Sequence, residues 1–367
     1  MTADNAKISA GLLDWYDRHH REFPWRISPS DRKRGVKPTP YHVWLSEIML
    51  QQTTVQAVRP YFLTFIERWP DVVSLADAPD DDIMKAWAGL GYYSRARNLK
   101  KCAELVASQH GGMFPDNETA LKTLPGIGDY TAAAIAAIAF NSHASVVDGN
   151  IERVIARLLR LATPLPAVKP EIKAHMSCLT PHDRPGDFAQ AMMDLGATIC
   201  TPKRPACSFC PLNGSCAVSG LNEAESLPLK PPKKTRPVRR GAAFVAIASD
   251  GAILLRKRPG EGLLGGMSEV PTSRWTARQD GALGVGAAPF AGDWKMAGTI
   301  KHVFTHFELR LDVYRAKFAN KPAYEDGWWS GTHTVSGEAL PTVMKKAIAA
   351  AIEPSQENKT SSKGMLL

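Results

Sequence analysis

Cys200, Cys207, Cys210 and Cys216 place four thiols within seventeen residues of chain. That spacing lets one inorganic centre draw all its ligands from a short loop. Four soft sulfurs with no histidine suit a tetrahedral zinc or an iron–sulfur cluster. Zinc ribbons usually carry two close CxxC pairs, and only Cys207 and Cys210 are so paired, which favours a [4Fe-4S] cluster. The two remaining cysteines, Cys102 and Cys178, stand alone in helical segments and read as core thiols.

Two carboxylates have surroundings that suit opposite tasks. Glu47 lies in Trp44-Leu45-Ser46-Glu47-Ile48-Met49-Leu50, on a thin polar line (Val43, Glu47, Leu50, Gln51, Thr54) along an otherwise apolar helix. Partial burial would raise its pKa and keep a proton available for donation; the alternative is a plain solvent-facing glutamate. Asp148, in Val146-Val147-Asp148-Gly149-Asn150, precedes a helix expected over Ile151–Leu161, where free N–H groups and the helix dipole favour the anion. An N-cap is the structural alternative, and it is compatible with catalysis. One acid held neutral beside one held ionised is what cleavage of an N-glycosidic bond requires.

Leu124-Pro125-Gly126-Ile127-Gly128 sits between a helix ending near Thr123 and an alanine-rich helix starting near Tyr130. Its two glycines permit a tight turn whose backbone N–H groups, with the following helix end, can hold a phosphate. Such a grip carries no base information, so the expected target is DNA recognised by shape and lesion. Work on a base requires unstacking it and filling the gap. Gln52, in Leu50-Gln51-Gln52-Thr53, and Leu90 with Tyr92, in Gly89-Leu90-Gly91-Tyr92-Tyr93, are the candidates. Core packing is the alternative for Leu90 and Tyr92, but the flanking glycines favour a protruding loop.

These residues need elements to position them. At 367 residues the chain has room for two or three domains, with a 44% hydrophobic content that is globular. The net charge of +9 and pI near 9.2 fit a nucleic-acid partner. The amino-terminal stretch lacks secretory-signal features, and the longest apolar run, Ala132–Phe140, is too short to span a bilayer. The expectation is a soluble intracellular protein in a reducing compartment, where clustered cysteines bind metal. Residues 1–222 read as all-α, and 223–240 as an extended, non-packing linker holding six Lys or Arg residues. Residues 241–353 read as a smaller α+β domain, and 354–367 as a disordered tail. Asp250-Gly251 marks a hairpin between Ala243–Ser249 and Ala252–Arg256. His302–Tyr314 alternates as one strand, with Val303, Thr305, Phe307, Leu309, Leu311 and Val313 on one face, and a helix is expected over Gly337–Ile352. The basic island Arg32-Lys33-Arg34 with Lys37 reads as a solvated loop.

LSEIMLQQT, GLGYYSRARNL, LPGIGDYTAAAI, VVDGNIERV and the cysteine quartet, in that order from about Asp14 to Cys216, resemble the endonuclease III superfamily of DNA glycosylases. Within it the chain resembles the MutY-type adenine DNA glycosylases, and HVFTHFELRL is similar to the family's lesion-reading segment. The resemblance implies a multidomain protein: an all-α helix-hairpin-helix glycosylase region with a [4Fe-4S] loop, followed by a smaller α+β Nudix-like domain. It also implies a partner, double-stranded DNA carrying adenine opposite 8-oxoguanine or guanine, and a monomer working in the bacterial cytoplasm at the nucleoid.

By this resemblance Glu47 protonates adenine, Asp148 stabilises the oxocarbenium-like sugar and Tyr130 supports the reaction centre. Trp25, Arg26 and Gln190 line the base pocket, and Gln52, Thr53, Leu90, Gly91 and Tyr92 wedge the duplex. Gly126 and Gly128 grip the backbone, Thr305 contacts 8-oxoguanine, and the four cysteines hold the cluster. Bifunctional members carry a lysine where this chain has Tyr130; tyrosine forms no Schiff base, so little or no lyase activity is expected. No Arg-Glu-x-x-Glu-Glu helix follows Gly265-Gly266-Met267-Ser268-Glu269, so the Nudix-like domain should bind rather than hydrolyse. The strand alternation puts Thr305 on an apolar face while the resemblance wants it at DNA; a loop over Phe304–His306 would reconcile them. Residues 27–39 look like an insertion of unknown role. Two other readings are a thymine or uracil mismatch glycosylase and a non-catalytic, cluster-bearing DNA-binding protein.

Overall fold

The structure, a computed structural model, describes residues 3–232 and 235–352. The chain divides into two compact units, Met1–Ala78 with Asn98–Lys233, and Pro79–Arg97 with Lys234–Leu367. No feature of the sequence marks Pro79–Arg97 as belonging with the C-terminal segment. The tail expected over 354–367 lies outside the described residues.

The first unit is helical. The Pro40–Leu50 and Asp129–Phe140 helices are apolar on nearly every side, so both are buried and they pack on each other. Pro185–Thr198 packs on Asp129–Phe140 and on Gly149–Leu158. Gly186 makes the first contact close: a Cβ there would stand 2.4 Å from the Ala137 carbonyl oxygen. Asp148 caps Gly149–Leu158 through Ile151 N–H at 2.7 Å, so this helix starts two residues before the expected Ile151.

The basic island is only partly the solvated loop expected. It contains the short helix Pro29–Lys33, capped by Ser28, and Arg32 is mostly buried, paired with Asp187 at 3.2 Å and donating to the Ile138 carbonyl. The linker also departs from the expected non-packing chain. Leu227 is buried against Val218 and Ala224, and the Leu229 carbonyl accepts from Leu165 N–H, because its leucines supply apolar area that charge-counting overlooks.

The second unit pairs the Asp80–Trp87 helix with a mixed sheet. Its strands are β1 (Val238–Ala248), β2 (Ile253–Lys257), β3 (Ser268–Glu269), β4 (Lys295–Val303), β5 (Glu308–Phe318) and β6 (Gly327–Ser330). The order is β3-β2-β1-β5-β4, with β6 also on β2; β1 and β5 run parallel and the remaining pairs antiparallel. The β1–β2 hairpin turns at Asp250-Gly251 as its sequence indicates, with Gly251 at φ +80°. The terminal helix covers Thr342–Ile352, starting five residues later than Gly337, because Pro341 and a short 3-10 turn at Val335–Gly337 precede it.

His302–Tyr314 is not one strand. It is the end of β4, a turn closed by Phe304 N–H to the Phe307 carbonyl at 2.8 Å, and the start of β5. Leu309, Leu311 and Val313 are buried on one face of β5, but Val303 is half exposed and Thr305 sits in the turn. Alternation runs through such a tight turn without a break in period, which is why the sequence reads as continuous. After β3 the segment 270–284 forms no helix. Glu269 is buried in ion pairs with Arg256 and Arg258, so its carboxylate serves the sheet.

Candidate active site

A cavity of about 870 Å³ opens in the first unit and collects, from separate stretches of the chain, Trp25, Arg26, Glu47, Gln52, Thr53, Gly126, Gly128, Tyr130, Asp148 and Gln190. Glu47 projects from the Pro40–Leu50 helix and is 7% exposed. Burial pushes its carboxyl up to about 7, against the Tyr130 hydroxyl that hydrogen-bonds it and with reinforcement from the nearby Asp148 charge; Arg26 pulls the other way. Burial and the two carboxylates also hold Tyr130 well above the ordinary phenol range, so it remains a neutral donor.

Asp148 departs from expectation. Its pKa is also raised, chiefly by burial, although the Ile151 N–H, Asn150 and Arg153 oppose the rise. The sequence shows the cap, which favours the anion, but not the depth of the surroundings, which disfavours it. The division of labour survives in another form. Asp148 accepts from Ile151 N–H at 2.7 Å and Asn150 Nδ2 at 2.9 Å, whereas Glu47 has the Tyr130 hydroxyl. When the pair holds one proton, the better-solvated anion is Asp148 and the proton resides on Glu47.

The walls are equally built. Trp25 stacks on Phe23 at 5.2 Å and meets Phe62 edge-on. Gln190 is buried, its amide donating to the Gly186 carbonyl at 3.3 Å. At the rim, Gln52 is exposed in a left-handed conformation, φ +56°, a strained backbone of the kind found at functional positions. Gly126 takes φ +79°, and a Cβ there would lie 2.9 Å from Asn98 Cβ, so glycine is required twice over. Gly128 caps the Asp129–Phe140 helix without a side-chain bond, leaving its first N–H groups open to a ligand.

Leu90, Gly91, Tyr92 and Thr305 belong to the second unit. Leu90 is buried, 6% exposed, so the core-packing alternative holds for it and the protruding loop does not; Tyr92, at φ +47° and 43% exposed, is the residue that protrudes. The Tyr92 hydroxyl lies 2.9 Å from Thr305 Oγ1, and Arg236 donates to the Thr305 carbonyl at 3.1 Å. The turn over Phe304–His306 removes the conflict between strand alternation and an accessible Thr305.

Cys200, Cys207, Cys210 and Cys216 line one small pocket with Arg157, and none is in a disulfide. The buried Arg157 donates to the Thr201, Pro202 and Leu227 carbonyls and reaches Cys200 Sγ at 3.4 Å, which ties the loop around the sulfurs. Among the described residues no group of three or more His, Cys, Asp or Glu has the geometry to hold a metal ion. Of the lone cysteines, Cys102 is buried as expected, but Cys178 is exposed, being on the outer face of the Lys169–Leu179 helix.

Several contributors escaped sequence reasoning. Arg21 and Asp194 anchor Arg26; an aspartate inside the apolar run FAQAMMDLGA was the available signal. Arg153 donates to Asn150 Oδ1 at 2.9 Å and to the Cys200 carbonyl at 2.8 Å. Its four-residue spacing from Arg157 puts both on one helix face, a pattern the sequence did display.

Comparison with known proteins accords with this geometry. The family described as HhH-GPD superfamily base excision DNA repair protein matches residues 45–176, and the NUDIX domain matches residues 242–350. The human adenine DNA glycosylase is 35% identical over 370 residues, covering 85% of this chain and 67% of that protein. The mouse adenine DNA glycosylase is 33% identical over 421 residues, covering 98% and 81%. Among solved structures a thermostable thymine-DNA glycosylase is similar, with a TM-score of 0.51 and 29% identity over 59% of this chain and 98% of that one.

Proposed function

The chain belongs to the adenine DNA glycosylase family of base excision repair, and from that premise we propose that it hydrolyses the N-glycosidic bond of adenine mispaired with 8-oxoguanine or guanine, without lyase chemistry. The observation that carries this reading is the single cavity holding a protonated-prone Glu47, Tyr130 and the capped Asp148. A flipped adenine entering between Trp25, Arg26 and Gln190 would receive the Glu47 proton as its bond to the sugar lengthens. Positive charge growing on the sugar is then met by the Asp148 anion, and water adds to the sugar carbon as adenine departs, its proton restoring the Glu47 carboxyl. Tyr130 orients Glu47 and, having no amine, forms no imine with the sugar.

Gly126 and Gly128 would supply backbone donors for a phosphate, Gln52 and Thr53 would enter the gap left by the flipped base, and Tyr92 of the second unit would contact the unstacked duplex. Leu90 would contribute by supporting the Gly91-Tyr92 turn. Thr305 would read the 8-oxoguanine. The four half-buried cysteines would hold a [4Fe-4S] cluster, whose iron would supply the positive charge that the Cys210 and Cys216 thiolates, disfavoured by burial and by neighbouring sulfurs, need. The protein is taken to act as a monomer on duplex DNA in the bacterial cytoplasm, at the nucleoid. Among the described residues no helix is long and apolar enough to cross a membrane.

Duplexes carrying adenine opposite 8-oxoguanine, thymine opposite guanine and uracil opposite guanine test the reading, scored by strand cleavage after alkali. Cleavage confined to the first is expected. Cleavage of a thymine or uracil duplex instead would reassign the enzyme, and strand cleavage before alkali would defeat the proposed absence of lyase chemistry.

A further inference from the structure

The adenine-pocket arginine is held by a buried acid that the reaction scheme leaves without a task. Asp194 lies at the centre of the Pro185–Thr198 helix, wholly inaccessible to water. Its Oδ1 accepts from Arg21 Nε at 2.6 Å and Arg26 Nη1 at 2.9 Å; its Oδ2 accepts from Arg26 Nη1 at 2.8 Å and the Arg21 backbone N–H at 3.0 Å. The two guanidinium groups each lie 4.9 Å from the Phe23 ring centroid, so Phe23 braces the same cluster. Arg26 thus reaches the wall it shares with Glu47 already paired, its side chain 10% exposed.

We propose that Asp194 is a positioning residue, the counter-ion that holds Arg26 in place and balances its charge beside Glu47. The inference rests on the adenine glycosylase reading and deepens it. The charged or titratable groups facing Glu47 are Arg26 from the Pro24–Trp25 turn, Tyr130 from the Asp129–Phe140 helix and Asp148 from its helix cap. Behind Arg26 stand Asp194, Arg21 and Tyr16. A bare guanidinium in that wall would favour the Glu47 anion, which cannot donate a proton. With Asp194 bound to it, Arg26 keeps hydrogen-bonding groups at the base pocket while its field on Glu47 is reduced. Arg21 adds a second cation that Asp194 must also restrain, which accounts for the buried acid meeting both.

Single-turnover adenine release from the 8-oxoguanine duplex, followed from pH 5.5 to 9, tests this in the full-length protein. Asp194→Asn should move the alkaline fall in rate to lower pH by about one unit, giving roughly a tenfold loss at pH 8.5 beyond any loss at pH 6. Asp194→Glu should restore the wild-type profile, and Arg26→Gln should displace it to higher pH. If Asp194→Asn does not fold, the Arg26→Gln shift decides the matter, together with its persistence in an Arg26→Gln/Asp194→Asn double variant; a double variant displaced to lower pH would overturn the proposal. Superimposable normalised profiles, or Arg26→Gln moving toward lower pH, would overturn the proposal. A wild-type protein that releases no adenine would instead defeat the reading on which it rests.

Discussion

The cavity around Glu47 and the Tyr92–Thr305 pair use polar groups in opposite ways. In the cavity the side chains are buried and each polar group is bound by another: Glu47 by Tyr130, Asp148 by its helix cap, Arg26 by Asp194. Tyr92 and Thr305 are both exposed on turns, their hydroxyls joined at 2.9 Å by a bond that water or a base can replace. Exclusion of water amplifies electrostatics enough to move a proton equilibrium, which bond cleavage needs. Exposure leaves donors and acceptors available to be exchanged, which reading a lesion needs. On the proposed reading the chain would thus keep chemistry and recognition apart by dielectric.

Substitution can break the contrast at its strongest point first. Glu47→Gln should lower single-turnover adenine release by on the order of 10³-fold while duplex binding, measured by gel shift, is retained. A rate within tenfold of wild type would mean that the buried cavity is not where the bond breaks. The pH profile sharpens the same point: with a folded-state value of about 7 and a protonated requirement, release should decline above neutrality.

Burial of Glu47 also has a stability signature. Its folded-state value is raised above the unfolded one, so stability is intact below about 4.5 and is lost as pH rises toward 7. Glu47→Gln should accordingly be the more stable protein at pH 8, by up to about 3 kcal/mol, with little difference at pH 4. Denaturant midpoints at the two pH values measure it; an equal difference at both would show that the carboxyl is not desolvated.

Smaller effects belong to the exposed groups. Gly126→Ala forces a left-handed alanine against Asn98 at a cost of about 1–2 kcal/mol, and should weaken binding to matched and mismatched duplexes alike. A loss limited to one duplex would contradict a backbone grip. Thr305→Ala should be the mildest, a few-fold loss confined to 8-oxoguanine over guanine, consistent with one exposed hydrogen bond worth about 1 kcal/mol. Equal losses on both duplexes would remove Thr305 from lesion reading.

Much of the site was legible because its signals are local. The cap at Asp148, the glycines of Leu124–Gly128 and the clustering of four cysteines are set within a few residues of chain, and the structure contains each. Less legible were features that depend on distant partners. Leu90 looked exposed because glycines flank it, yet it is buried; His302–Tyr314 looked continuous, yet it turns. Asp194 gave only the oddity of an acid in an apolar run.

Sequence alone determined which groups are present and how the backbone can bend at them: acid, amide, thiol, glycine. Tertiary structure decided which of those groups keep water and which lose it. That choice sets the direction of both the Glu47 and Asp148 pKa values. Spacing along a chain is a one-dimensional quantity, whereas desolvation sums over atoms contributed by segments far apart in sequence, Arg26 and Asp194 being 168 positions from one another.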